Sequence, residues 1–196
     1  VTASPPAFAL RCPVSPQDEL AVIELHAVPR GRLLGRTVAR VIVSPRGSVP
    51  NTHRAPVLSL PVSAGEHDQT SMVTAINALR RSARLRPVSA AVEQTTVVER
   101  LLPHLVAAVD DPGQAELGDQ IALGLVAGWK VDGNVRSGRF ILHTSSYGWS
   151  LERELAAQLS SPITRSQLLD PDTSTVAYAE IADPALGMRK SILASY

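Results

Sequence analysis

The sequence lacks most of the residues from which disulfides, metal sites and catalytic centres are built. Cys12 is the only cysteine among 196 residues, which excludes an intrachain disulfide and a cysteine-based metal cluster. The histidines are not paired at the spacing of zinc ligands, and neither a nucleophile elbow nor a phosphate-binding glycine loop is present. We therefore expect no metal and no cofactor, and we lean towards a protein that is not an enzyme.

Long apolar runs and a leader segment are also missing. No stretch reaches the roughly 18 consecutive apolar residues of a membrane-spanning helix. The first residues, Val1 to Pro6, lack the basic-then-apolar order of a secretory signal peptide. These absences predict a protein that is neither transmembrane nor secreted by a signal peptide, located in the cytoplasm or in a virion, with no membrane partner.

Aromatic residues are scarce, so the core has to be built from aliphatic side chains. Phe, Trp and Tyr make up 4% of the chain, whereas apolar residues as a whole make up 44%. A chain of this length needs only one hydrophobic core. We therefore predict a single domain over residues 1–196, and a core light enough to gain stability from a partner chain.

Apolar segments bounded by proline, glycine and serine predict the strands. The predicted strands are residues 7–14, 20–28, 33–43, 121–131, 135–144 and 174–181. The Asp132-Gly133 turn joins two of them as a hairpin. A Pro- and Ser-rich connection occupies about residues 44–66, and connections of this length are often functional.

Capping residues and helical periodicity predict a first helix. Asp68 or Thr70 can cap it, and apolar residues share one face up to about residue 84. The helix dipole, which favours cations at a helix end, explains the basic residues that close it. These residues are Arg80, Arg81, Arg84 and Arg86.

Ser150 can cap a further helix that ends before Pro162. Asp183-Pro184 predicts a last helix over 184–194, and residues 88–100 fit a helix and a strand equally well. Together these elements predict an α+β fold, with an antiparallel sheet of about five to seven strands and about two to four helices packed on it.

Acidic residues are absent from Leu25 through Gly65, where arginines recur. Arg36 and Arg40 are four residues apart, so in a regular strand they would lie on the same face. Such a face could hold a phosphate backbone, although a solvated surface explains the same arginines. The candidate nucleic-acid-binding residues are Arg30, Arg32, Arg36, Arg40 and Arg46.

The segment Phe140 to Tyr147, with the Leu- and Ala-rich segment Leu151 to Pro162, resembles the end of a coat protein of the single-stranded RNA bacteriophages. In that family a final strand leads into a helix that packs across the sheet of the dimer partner. The resemblance implies a homodimer, a closed shell and RNA on the inner sheet face. It implies a dimer or assembly contact for Leu151, Leu155 and Leu159.

Two main function classes follow, and a third option is an adaptor or regulatory module that binds one partner protein. The leading hypothesis is a non-enzymatic, self-assembling structural protein, a virion or phage coat subunit whose partners are its own copies and RNA. The alternative is a small α+β enzyme or ligand-binding domain whose site is assembled from distant segments and is therefore invisible in the sequence. Assembly state separates the two classes, and a thermal shift with a small molecule would favour the second.

Overall fold

The structure is a computed structural model that describes residues 21–28, 30, 36–43, 67–127, 129–131, 134–136, 138–183 and 185–196. The strands are β1 (Ala21–Ala27), β2 (Arg36–Val43), β3 (Ser89–Ala90), β4 (Trp129–Val131), β5 (Asn134–Arg136), β6 (Arg139–Ser146), β7 (Thr175–Asp183) and β8 (Met188–Ser195). The helices are α1 (Gln69–Ser82), α2 (Val92–Asp110), α3 (Ala115–Val126), α4 (Leu151–Leu159) and α5 (Pro162–Leu168). The predicted α+β class is confirmed.

The central sheet has four strands in the order β3-β7-β8-β6. β3 and β7 run parallel, whereas β7 with β8 and β6 with β8 are antiparallel. β1 pairs with β2, and β4 with β5, in two separate antiparallel ribbons. The central sheet is therefore smaller than expected, because the predicted strands are divided among several sheets and one of them is helical.

Each face of the central sheet is covered by its own helices, since successive strand residues point to opposite faces. One face packs against α2 and α3 through Ala177, Ala179, Ile192 and Ala194. The other, which we call the α4 face, packs against α1, α4 and α5 through Val176, Tyr178 and Leu193. This arrangement is a helix–sheet–helix sandwich. None of the helices in the described ranges is long and apolar enough to cross a membrane.

Local signals located two helices correctly. The Asp68 side chain accepts a hydrogen bond from the backbone N–H of Ser71 at 2.7 Å, and Ser150 accepts one from Arg153 at 3.3 Å. Both contacts are side-chain N-caps. The ambiguous segment 88–100 contains the short strand β3 and then the start of α2.

Two predicted elements are wrong. Residues 121–126 end α3 instead of opening a hairpin, because Ile121, Ala122 and Leu125 are buried at helical spacing. The segment predicted as a last helix forms β8, which Gly187, with a φ of 63°, joins to β7 by a tight turn. The predicted strand 7–14 and the connection at about 44–66 lie outside the described residues.

The leucine stripe of α4 belongs to the core of this chain. Leu151, Leu155 and Leu159 are 1%, 0% and 2% exposed, and they belong to the same buried cluster as Met72 and Leu168. The three leucines therefore pack in the core of their own chain, and the assembly role that the resemblance implied for them stays a prediction.

Arg80 is fully buried, so its role is not limited to a favourable interaction with the helix dipole at the end of α1. Burial lowers the pKa of its guanidinium, and the negative charge of Asp170 opposes that shift. The guanidinium connects α1 to the segment between α5 and β7 because it donates hydrogen bonds to backbone carbonyls of that segment. The acceptors of the guanidinium are the carbonyls of Arg86 at 2.7 Å, Leu168 at 2.7 Å, Asp170 at 3.0 Å and Thr173 at 3.2 Å.

We expect Arg80→Met to lower the free energy of unfolding by about 3 kcal/mol or more, because the buried carbonyls lose their donors. Arg81→Met, at the exposed neighbouring position, is the matched control and should change stability by less than about 0.5 kcal/mol. Urea denaturation measures both. Equal, small effects of the two substitutions would contradict the role assigned to Arg80.

Candidate functional site

The α4 face becomes polar at the end next to the β7–β8 turn. Ser191 lies opposite both His143 of β6 and Glu180 of β7, and Arg189 lies opposite Ser145. Residues paired directly across antiparallel strands share a face, so these side chains form one group facing α4. We name this group, with its neighbours from α4 and the start of α1, the polar cluster. It comprises His67, His143, Ser145, Glu154, Gln158, Glu180, Arg189 and Ser191.

Glu154 is at the centre of the polar cluster and none of its side chain is exposed. Its Oε1 accepts hydrogen bonds from Ser191 Oγ at 2.7 Å and from Gln158 Nε2 at 3.2 Å. Its Oε2 accepts from Ser145 Oγ at 3.4 Å. A buried carboxylate requires such donors, because desolvation otherwise penalises its charge heavily.

His67 connects the two carboxylates of the polar cluster. Its Nδ1 lies 3.5 Å from Oε2 of Glu154 and 3.5 Å from Oε2 of Glu180. Its Nε2 lies 3.0 Å from the carbonyl oxygen of Trp149 and 2.8 Å from Nη1 of Arg189. The carbonyl needs a proton on Nε2, and Nη1 of Arg189, which also lies 3.0 Å from Nδ1, can then donate to the lone pair of Nδ1. With both nitrogens in contact with protein groups, His67 is not a free general base.

Arg189 supplies the positive charge beside Glu180. Its Nε lies 3.0 Å from Oε2 of Glu180, although this N–H makes no directed hydrogen bond within the described ranges. Tyr178 donates its hydroxyl proton to the same oxygen at 3.0 Å. Burial raises the pKa of Glu180, and the charge of Arg189 opposes that shift. Burial, followed by the charges of Glu154 and Glu180, also raises the pKa of Tyr178.

The charges of the polar cluster do not balance when its histidines are neutral. Glu154 and Glu180 are two carboxylates, and Arg189 is the one guanidinium in the polar cluster as defined. One negative charge is left over. Protonation of a histidine or a bound cation would neutralise it.

Three buried atoms of the polar cluster have no hydrogen-bond partner in the part of the chain that the structure describes. They are Oε1 of Gln158, a residue that is 2% exposed, Nε2 of His143, and Nε of Arg189, which lies 3.0 Å from Oε2 of Glu180 without a directed hydrogen bond. A carboxylate can only accept hydrogen bonds, so the atom of the Gln158 amide that contacts Glu154 is the nitrogen. This fixes the orientation of the amide. Each buried, unpaired polar atom costs about 1–3 kcal/mol, and native proteins have few of them.

The chemistry that this arrangement supports is hydrogen-bonded recognition. No group of three or more His, Cys, Asp or Glu residues within the described ranges is placed to hold a metal ion. The hydroxyls of Ser145 and Ser191 donate to Glu154. They are buried at 5% and 1% exposure, which leaves neither of them as an exposed nucleophile.

Three of the predicted arginines belong to described segments other than those that form the polar cluster. Arg30 is exposed in a turn, whereas the register of the β1–β2 ribbon pairs Arg36 with Ala27 and Arg40 with Glu24. The register shifts by one residue beside Leu25, so the backbone between Arg36 and Arg40 is not the regular strand on which their shared face was predicted. Their nucleic-acid role stays a prediction. The remaining candidates, Arg32 and Arg46, lie outside the described residues.

Sequence reasoning missed most of the polar cluster because its members are far apart in the chain. One signal was available. Polar residues occur at alternate positions of otherwise apolar strands, as at His143 and Ser145 or at Arg189 and Ser191. A strand that carries them on its buried face has to supply partners for them.

Replacing His143 by Leu should change the pH dependence of stability. Burial lowers the pKa of His143 below its ordinary 6.5, although Glu154 opposes the shift. Folding therefore favours the neutral ring, so wild-type stability is full above pH 6.5 and is lost as the pH falls below that value. His143→Leu removes this loss, which for one proton reaches at most about 1.4 kcal/mol per pH unit.

Urea denaturation from about pH 7.5 to about pH 5 measures the effect. His104→Leu, at an exposed position of α2, is the matched control and should keep the wild-type slope. Identical slopes for the two variants would contradict the burial assigned to His143.

Comparison with known proteins does not show a family for this chain. No protein-family model and no curated protein matches the sequence. Among solved structures, an outer surface protein from Borrelia burgdorferi is similar at 16% identity and a TM-score of 0.47. The similarity covers 68% of this chain and 96% of that chain. At that TM-score it carries no argument about what this chain does.

Proposed function

We propose that the chain is a ligand-binding domain and that the polar cluster is its binding site. The observation that carries the proposal is the set of unpaired buried atoms, Gln158 Oε1, His143 Nε2 and Arg189 Nε, beside charges that do not balance while the histidines are neutral. A cluster kept only for stability gains nothing from unpaired polar atoms. A ligand that supplies the missing partners would recover their cost in the bound state.

Binding is better supported than catalysis. Both ring nitrogens of His67 contact protein groups, and the serine hydroxyls donate to Glu154. General-base and nucleophilic mechanisms each need such a group directed at a substrate. The proposal therefore assigns recognition to the polar cluster and no reaction.

Access to the polar cluster is best on the side of Glu180 and Tyr147. The Glu180 side chain is 22% exposed, and Tyr147 is 46% exposed in the turn between β6 and α4. The backbone N–H of Tyr147 donates to the carbonyl of Gly187 at 2.9 Å. That bond holds the β6–α4 turn beside the β7–β8 turn, so the two turns form the rim of the proposed site.

A ligand screen tests the proposal. We expect at least one class of small polar compound, among cations, neutral compounds and anions, to shift the imidazole NMR signals of His143 and to raise the melting temperature. A ligand present at a free concentration of about 100 times its dissociation constant adds about 2.7 kcal/mol to the free energy of unfolding. The exposed His104 ring is the internal control. If no class moves the His143 signals selectively, the proposed function is wrong.

The coat-subunit hypothesis is the second candidate, supported by the acid-free stretch from Leu25 to Gly65. Size-exclusion chromatography with light scattering, read at 260 and 280 nm, separates the two candidates. A ligand-binding domain should elute as a monomer or small oligomer without bound nucleic acid. A megadalton particle with excess absorbance at 260 nm would favour the coat subunit instead.

A further inference from the structure

We propose that the ligand is a small organic cation that presents an ammonium or guanidinium group to the polar cluster. This inference rests on the proposed function and adds the chemical class of the ligand. Three features of the polar cluster carry it: its leftover charge, its open acceptors and the aromatic ring at its rim.

The leftover charge of the polar cluster is negative. Glu154 is fully buried and Glu180 mostly so, and Arg189 alone offsets them while His67, 3.5 Å from both carboxylates, is neutral. An anionic ligand would face both carboxylates where little water screens the repulsion. A cation would restore neutrality, which buried charges require.

Apart from the Arg189 Nε–H, which faces Oε2 of Glu180 at 3.0 Å, the polar cluster has two open acceptor oxygens. Among the described residues, every contact of Glu180 is made to Oε2, by Tyr178, Arg189 and His67. Its Oε1 is therefore open, on the side chain nearest to solvent. Gln158 Oε1 is a second open acceptor and is buried, on the amide whose nitrogen contacts Glu154. An ammonium has only donors and a guanidinium has only donors, so either group complements these oxygens.

The aromatic ring at the rim already contacts a cation of the same kind. The Arg189 guanidinium lies 5.4 Å from the centroid of the Tyr147 ring. The ring is 46% exposed, and an aromatic face attracts ammonium and guanidinium groups. The rim therefore suits the same ligand class as the open acceptors.

Three probes with the same carbon chain test the inference: n-butylammonium, 1-butanol and butyrate. Each is titrated into the full chain while the imidazole NMR signals of His143 and the melting temperature are followed. We expect n-butylammonium to bind at least about tenfold more tightly than the other two, because only it supplies charge and donors together.

Glu180→Gln should weaken n-butylammonium binding at least about tenfold, because it removes the accessible carboxylate. Glu99→Gln, exposed in α2 on the opposite side of the sheet, is the matched control and should leave binding unchanged. Glu154→Gln is the second site variant and should also weaken binding. The two-dimensional amide NMR spectrum of each variant confirms that it is folded.

The remaining outcomes separate the ligand class from the proposed function. If 1-butanol or butyrate binds at the polar cluster as tightly as the cation, the ligand class is overturned while the binding function stands. If n-butylammonium binds equally well to wild type and to both site variants, the site assignment is overturned. If none of the three moves the His143 signals, the ligand class is overturned, and the broader screen then decides the proposed function.

Discussion

The burial of the Glu154 carboxylate constrains everything around it. A charged group without exposed surface is tolerated in a core only when donors surround it. Here those donors come from two strands and from the next turn of α4, through Ser145, Ser191 and Gln158. His67, from the segment before α1, places Nδ1 3.5 Å from the same carboxylate. Elements that are distant in sequence are thereby held at one point, which is also where the chain leaves polar atoms unpaired.

The alternation of strand residues links this site to the fold. On the α4 face, Leu193 of β8 packs in the apolar core, whereas Ser191 and Arg189, two and four residues earlier, enter the polar cluster. One face of one sheet therefore has a packed end and a polar end. The packed end gives the polar end a rigid support, as a binding site requires.

The sequence predicted the elements that carry local signals. Caps at Asp68 and Ser150 located α1 and α4, and alternation located β7. The sequence did not predict α3 and β8 correctly. Their short apolar runs fit both the helical and the strand periodicity, and tertiary packing decides between the two. The polar cluster could not be predicted, because Glu154 and Glu180 meet only when α4 crosses the sheet. The register shift of the β1–β2 ribbon beside Leu25 has no signal in the sequence either, because strand pairing and not residue spacing sets it.

In the proposed binding site, Glu154 leaves one negative charge of the polar cluster uncompensated, and a bound ligand would compensate it. The most direct test is the free energy of unfolding of Glu154→Gln, measured by urea denaturation at neutral pH. We expect a free energy of unfolding that lies within about 0.5 kcal/mol of the wild-type value or above it. The amide keeps an acceptor for Ser191, and Glu180 and Arg189 remain paired. A loss of about 3 kcal/mol or more, as when a buried ion pair is broken, would contradict it. That loss would mean that the chain retains the Glu154 charge for stability.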